Sequence, residues 1–450
     1  MQNRDTTDSH YIQFILLHFM LGIVVFLFRP LSMGYAALIL ISGCYFIIKN
    51  RNANNEVLFW SAYIVAAEVF LRMTKGNIGN EYAKYGVMIF MLLGIYYSGI
   101  SKRTLPYWMY LLFLIPGILV GVVNLSFDAD IRKAIVFNVS GPICLAISCI
   151  YTVNRRVSFS DIEKMTRWMT YPIAAMLIYL FLFNPSVRDV VTGTDSNSAT
   201  SGGFGPNQVS TILGLGMFVV FVRLLFFSKS LVLLAFNSFF LLALGYRGLI
   251  TFSRGGVYTG IAMIIVLLMA TYPVVSLKGK FKVNVVSILL VVSGIAVFGY
   301  SIAQTGGLIL NRYKGEDALG REKVSKFSGR EVLVETELAM FYDNPITGIG
   351  VGKNKEYRKE LTGINLATHN EITRMLAEHG FLGIVNLLIL LITPFVFYLD
   401  NRQHIFLLSF FVFWFLTINH AAMRIAAPAF IYSLTLLQVI LVEKPVSVRK

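Results

Sequence analysis

Charged residues are scarce in this chain of 450 residues: Asp, Glu, Lys and Arg make up 14%, against 56% hydrophobic residues. With a mean hydropathy of +0.68, a soluble globule could not hide so much apolar surface, so that class is excluded. Cysteine is scarce too. Cys44, Cys144 and Cys149 all fall inside apolar runs, which leaves no disulfide framework and no zinc site. His10, His18, His379 and His404 show no metal-ligand spacing with one another or with nearby acids, so neither a metal nor another cofactor is expected. The phosphate-loop pattern GxxxxGK[ST] is absent, and the glycines of GIGVG do not follow a soluble strand. Any substrate must therefore arrive already activated. There is no internal repeat and no low-complexity tract. The first apolar run, Tyr11 to Phe28, has no small-residue cleavage site after it, so no cleavable signal peptide is expected.

What the chain has instead is apolar runs long enough to cross about 30 Å of hydrocarbon. Fourteen candidates lie near residues 12–28, 31–49, 57–73, 84–100, 105–124, 131–152, 168–184, 206–227, 231–251, 255–274, 283–303, 372–398, 404–420 and 424–442. The net charge of +15 sits in short loops between them and forms no extended basic face, so it reads as membrane orientation rather than nucleic-acid binding. Lys49 with Arg51, Lys102 with Arg103, Arg155 with Arg156 and Lys164, Lys229, Lys278 with Lys280 and Lys282, and Lys444 with Arg449 and Lys450 share one side if the helices alternate. That side is expected to be cytoplasmic. The expectation is an all-α integral membrane protein of about 12–14 transmembrane helices with one large extracytoplasmic loop. It divides into N-terminal helices (1–202), helices carrying GPN and SRGG (203–303), the large outer loop (304–371) and C-terminal helices (372–450).

The outer loop carries local signals. Ser328 followed by Glu331 predicts a capping box and a helix that runs until Asp343-Asn344-Pro345 breaks it. Arg330 then lies in its first turn, where free backbone N–H groups already favour an anion. Gly348, Gly350 and Gly352 predict a tight turn that brings backbone close to a ligand or a neighbouring helix. Thr368 and Glu371 predict a second capping box, with His369 at the first helical position. There the helix dipole disfavours imidazolium, so a neutral ring able to accept a proton is expected.

Two further helices are expected to begin on the outer face, at Gly205-Pro206-Asn207 and at Ser253-Arg254, with Ser253 as a cap. Arg254, Arg330 and His369 could thus form one anion-binding pocket, with Arg247 and Arg312 as second-rank members and Asn207 and Asn370 beside them. Arginine suits such a pocket because its planar fork takes phosphate oxygens in pairs. Glu68 and Arg72, one turn apart in an apolar helix, either pair structurally or mark function. His420 and Arg424 either line the same cavity or anchor at the headgroups.

The combination of GFGPNQVSTILGLG (from residue 203), TFSRGG (from 251), SGREVLVETELAMFYDNPITGIGVG (328–352) and ATHNEITRMLAEHGFLGI (from 367) resembles the O-antigen ligase and polymerase superfamily over roughly residues 203–398. The N-terminal helices are similar only in hydropathy. The resemblance implies a C-type, metal-independent, inverting membrane glycosyltransferase of the bacterial inner membrane, with its site facing the periplasm. It implies a glycan taken from an undecaprenyl-diphosphate carrier and moved to an acceptor hydroxyl. That acceptor is the lipid A core in a ligase and another lipid-linked repeat in a polymerase. On the matching positions it implies Arg254 on the departing diphosphate, His369 at the acceptor hydroxyl and Arg330 on diphosphate or glycan; Arg247 has no matching position. A flippase or transporter of lipid-linked sugars is the competing class, although no pair of broken helices recurs in two halves.

Overall fold

The computed structural model describes residues 2–127, 130–323 and 330–441. Each of the fourteen apolar runs is helical at least in part. In chain order the first seven helices are α1 (Gln2–Leu27), α2 (Leu31–Asn50), α3 (Glu56–Met73), α4 (Tyr82–Ser98), α5 (Leu105–Asn124), α6 (Ile131–Thr152) and α7 (Phe159–Phe183). The next four are α8 (Pro206–Val222), α9 (Leu231–Ile250), α10 (Arg254–Thr271) and α11 (Leu277–Gln304). Three short helices then occupy the large loop: α12 (Leu308–Lys314), α13 (Arg330–Asp343) and α14 (Asn354–Thr362). The chain ends in α15 (Glu371–Asp400), α16 (Leu407–His420) and α17 (Ala427–Ser433).

Among the described residues, ten helices are long and apolar enough to span a membrane. The four other apolar runs fall short for visible reasons. Helix α3 carries Glu56, Glu68 and Arg72, α4 is 17 residues long, and α16 and α17 are shorter still. The last run departs most from the all-helical expectation. After α17 the chain straightens, and β2 (Gln438–Ile440) pairs in parallel with β1 (Arg156–Ser158), the short strand between α6 and α7.

The core runs along α3, α7 and α8, whose inward faces are almost wholly buried, while α11 leans outward and buries only Val283, Val286 and Ser301. Close helix contact depends on missing side chains. A Cβ on Gly256 would strike the backbone of Ser210, and one on Gly260 would lie 2.7 Å from the Gly214 carbonyl oxygen, so α8 and α10 touch along their backbones.

The large loop is folded against the bundle. Helix α13 stops at Asp343, as the Asp-Asn-Pro sequence predicts. Gly348 (φ 69°), Gly350 (φ 93°) and Gly352 (φ 86°) then turn the chain in the left-handed region. A Cβ at Gly350 would strike Gly121 of α5, and one at Gly348 would strike Glu378 of α15, so these glycines permit a wedge between helices. The wedge is pinned by Val351 N–H to the Gly117 carbonyl and Ile349 N–H to the Ala377 carbonyl, each 2.9 Å. Helix α15 yields to it: Gly380 (φ 57°) kinks the helix, and the Phe381 N–H donates to the Pro345 carbonyl instead of its own helix.

Candidate active site

Helices α8, α10 and α15 all begin at the end of the bundle that carries the folded loop. Pro206 opens α8, and the Asn207 amide beside it reaches both neighbours. It accepts from the Ser253 hydroxyl at 2.9 Å and donates to the His420 carbonyl at 3.4 Å. Ser253 occupies the N-cap position of α10, but its hydroxyl goes to Asn207, so the expected side-chain cap is not made. A bond between helices replaces one within the helix. Gly255 and Gly256 serve packing: a Cβ on Gly255 would lie 2.7 Å from the His420 ring, and Gly256 faces α8. Arg254 is the one residue of the SRGG motif with reach, and it is half-buried at the helix start. Its guanidinium donates to the Arg312 carbonyl at 3.3 Å.

His369 differs from expectation in its place. The helix begins at Glu371, and the cap is Asn370, whose side-chain carbonyl accepts from the N–H groups of Ile372 (2.9 Å) and Thr373 (3.4 Å). The predicted Thr368–Glu371 box is therefore not made. The Thr368 hydroxyl accepts from the Asn370 N–H at 3.2 Å, and the Glu371 carboxylate turns to Arg374. Asparagine is the better N-cap, and a buried carboxylate gains more from a guanidinium than from a backbone N–H. His369 thus precedes the cap, half-buried in a bend, and the helix dipole acts on it more weakly with each residue of distance.

The segment Ala421–Ala426, between α16 and α17, joins the two candidate residues. Ala422 N–H donates to the His369 carbonyl at 3.1 Å, while the neighbouring His420 packs on Gly255, next to Arg254. Arg424 donates to the Thr368 carbonyl. Glu68 accepts from the Ala426 N–H at 2.7 Å and pairs with Arg72 at 2.8 Å; Arg72 in turn reaches the Arg424 carbonyl at 3.4 Å. The Glu68–Arg72 pair, with Glu68 fully buried, therefore holds the connecting segment. His420 does not point away as a headgroup anchor; its ring bonds Thr211 at 3.2 Å and the Leu416 carbonyl at 2.8 Å. Arg254 and His369 consequently lie at the same end of the molecule, separated by one short connection.

The remaining candidates sort by their contacts. Arg312 lies beside Arg254 in α12, where its Nε donates to the Phe252 carbonyl at 3.0 Å and its guanidinium meets Asp195 at 3.4 Å. Asp195 also binds Lys323 at 2.6 Å, which ties the Ser/Thr-rich loop after α7 to the site. Burial pushes the Tyr313 phenol up, opposed by nearby Arg254 and Arg312, so that ring lies within the same field. Arg247 sits deeper, 1% exposed in the last turn of α9, with its guanidinium 5.3 Å from the Phe181 ring. Its nitrogens have no hydrogen-bond partner among the described residues. Arg330 is the first residue of α13; its side chain, and the predicted Ser328 cap, lie outside the described residues.

Sequence reasoning missed the supports beneath His369. Arg358 of α14 and Glu337 of α13, both fully buried, pair at 2.5 Å. Glu337 also accepts from the Thr373 hydroxyl of α15, and Arg358 donates to the Leu366 carbonyl, both at 2.5 Å. Burial pushes the Glu337 carboxyl up, against hydrogen bonds from Thr373 and Thr368 and the Arg358 charge. Within α15, Arg374 bridges the carboxylates of Glu371 and Glu378. The available signal was charge in apolar context: Arg374 and Glu378 stand at the head of a long hydrophobic run.

Beside Arg254, an apolar groove of about 600 Å³ runs between α9, α10 and α11. Leu241, Ile261, Leu268 and Val291 line it, and Tyr258 and Tyr313, with rings 5.7 Å apart, stand at the end nearest Arg254.

Fold and site together define a multi-pass helical membrane protein whose folded loop brings a histidine to helix starts bearing arginine. Residues 238–388, about a third of the chain, match the family model described as O-antigen ligase, so this segment is similar to that family. The matched segment contains Arg247, Arg254, Arg312, Arg330, His369 and Asn370; Asn207 precedes it. No curated protein matches the chain.

Proposed function

We propose that this protein transfers a glycan from undecaprenyl diphosphate to an acceptor hydroxyl on the periplasmic face of the bacterial inner membrane, as an O-antigen ligase acting on the lipid A core. The observation that carries the reading is the tie from His369 through Ala422 and His420 to the Arg254 helix start. It supports the reading because His369 and Arg254 stand at one end of the bundle, where a base and a phosphate-binding cation would be needed together. The groove between α9 and α11 supports it, because a polyprenyl chain lying there would leave its diphosphate beside Arg254 and Arg312.

In this mechanism His369 takes the proton of the acceptor hydroxyl as its oxygen attacks the anomeric carbon. The carbon–oxygen bond to the diphosphate breaks on the opposite face, its electron pair leaves with the phosphate, and the configuration inverts. Arg254 binds that developing charge more strongly in the transition state than in the ground state, which is the condition for acceleration. Arg330 and Arg312 hold diphosphate or glycan, Asn207 and Asn370 border the substrate, and Arg247 supplies positive potential from below.

The test is glycan transfer by purified protein. His369→Ala and Arg254→Ala should each lower the rate by at least about a hundredfold without loss of folded protein, and wild-type rates in both would sink the proposal. Arg254→Lys should also lose most activity, since an ammonium does not reproduce a paired contact. In a deletion strain, loss of all attached chains supports the ligase, whereas single attached repeats support a polymerase of the same superfamily.

A further inference from the structure

At the other end of the bundle, outside the segment matched to the family, α1, α2, α3 and α7 enclose a cavity of about 520 Å³. That end carries Lys49, Arg51, Arg155 and Arg156. The cavity walls are aromatic. Trp60 and Trp168 meet edge to face at 5.1 Å, Tyr63 touches both, and His18 stacks on Tyr171 at 5.3 Å. Phe14 and Leu38, 48% and 61% exposed on the outer surfaces of α1 and α2, form the rim, so the cavity opens sideways into the bilayer.

Three side chains of the wall, His18, Tyr63 and Tyr35, are hydrogen-bonded in series. His18 Nδ1 lies 2.7 Å from the Phe14 carbonyl oxygen, which can only accept, so that nitrogen carries the proton. In the neutral ring Nε2 then accepts from the Tyr63 hydroxyl at 2.7 Å, and Tyr63 accepts from Tyr35 at 2.8 Å. These three side chains thus satisfy one another, and around them the wall is built of the rings of Trp60, Trp168 and Tyr171.

The mouth is different. Arg167 lies 3.8 Å from Glu163, whose carboxylate is held more closely by Arg223 at 2.7 Å. Two guanidinium groups share one carboxylate, and exposed His10 lines the same cavity as Arg167. Among the described residues the mouth therefore has a cationic surplus. Its size falls within the range of small-ligand sites. Basic pockets between membrane helices at the basic end recognise anionic headgroups, and ring-lined clefts at interface depth suit a lipid chain.

We infer that this cavity is a binding site for an anionic phospholipid, with its phosphate at Arg167 and one acyl chain between Trp60, Trp168 and Phe14. The lateral opening selects a ligand that arrives from the bilayer, and the largely aromatic wall suits its acyl chain.

The experiment uses the full chain in nanodiscs, in a Trp108→Phe background because Trp108 is itself lipid-exposed. Brominated phosphatidylglycerol should quench the emission of Trp60 and Trp168 at a lower mole fraction than brominated phosphatidylcholine. Arg167→Gln should raise the half-quenching fraction of phosphatidylglycerol about fivefold, the effect of one lipid-facing cation. Equal quenching by the two lipids overturns the inference without recourse to a cavity variant, and so does an unchanged half-point in folded Arg167→Gln protein. Displacement of brominated phosphatidylglycerol by an equal fraction of polyprenyl monophosphate would reassign the site to a carrier lipid.

Discussion

Replacing Arg358 by Met is the sharpest test of how the outer loop positions His369. The substitution keeps most of the stem, removes the charge, and leaves the fully buried Glu337 carboxylate with the Thr373 hydroxyl. It also strips donors from the Leu366 carbonyl and the Thr336 hydroxyl. Removing one partner of a buried pair costs about 3–5 kcal/mol. Both side chains are 0% exposed, so solvent screening gives no reason to discount that figure. If the loop opens locally, amide protection in residues 330–343 and 354–362 should fall by roughly two to three and a half decades. Glycan transfer should fall with it, since Leu366 and Thr373 bracket His369.

The pH dependence has a definite sign. Burial already raises the folded-state Glu337 carboxyl above its ordinary value, and losing Arg358 raises it further. A raised carboxyl favours the folded loop at low pH and disfavours it as pH climbs through the folded value. Protection in Arg358→Met should therefore recover partly on acidification from pH 8 to 5. Adding Glu337→Gln should recover part of the loss at pH 8. Hydrogen exchange within threefold of wild type, or a double variant worse than the single, would refute the claim that this pair holds the loop.

Three further outcomes follow from the geometry. Gly350→Ala forces a residue at φ 93° against the Gly121 backbone and should cost more than the ordinary left-handed penalty of about 1–3 kcal/mol. Gly363→Ala, at φ 72° in open space, should cost only that penalty; equal thermal shifts for the two would remove the wedge from the account. Asn370→Ala should cost about 1 kcal/mol as a lost N-cap and speed exchange in the first turn of α15 about fivefold, whereas Asn370→Asp should not. On acidification, two loop contacts should loosen. The Arg321 N–H holds the Asp317 carboxyl low, and for Glu356 burial pushes up but hydrogen bonds from Lys353 and Ser126 outweigh it. Depressed carboxyls contribute fully above their ordinary range, near pH 4, and lose that contribution as pH falls below it through their lowered folded values. Limited proteolysis near residues 315–323 and 353–360 at pH 3 against pH 6 measures the effect.

Hydropathy located the spanning helices because a run such as Ser9–Leu27 records the membrane directly. Local grammar located the end of α13, since Asp343-Asn344-Pro345 stops a helix wherever it stands. The cap of α15 was harder: Thr368, Asn370 and Glu371 all qualify by type, and tertiary demand from Arg374 decided among them. Gly380 was hidden inside an apolar run, because nothing local tells a packing glycine from one that kinks the helix. The Glu337–Arg358 and Glu68–Ala426 contacts join distant segments, so no window of sequence contained both halves. That Arg254 and His369 share one end of the bundle could be argued from helix starts, but the connection through His420 and Ala422 joins segments far apart in sequence.

The pairing of Arg156–Ser158 with Gln438–Ile440 has a temporal consequence. Translation delivers the first strand long before its partner exists, so the turn between α6 and α7 emerges from the ribosome with an unmet backbone edge. The assembly is fastened only as its last strand is made. A nascent chain stalled before residue 438 would lack that clasp, and the same turn is where a quality-control protease would find it open.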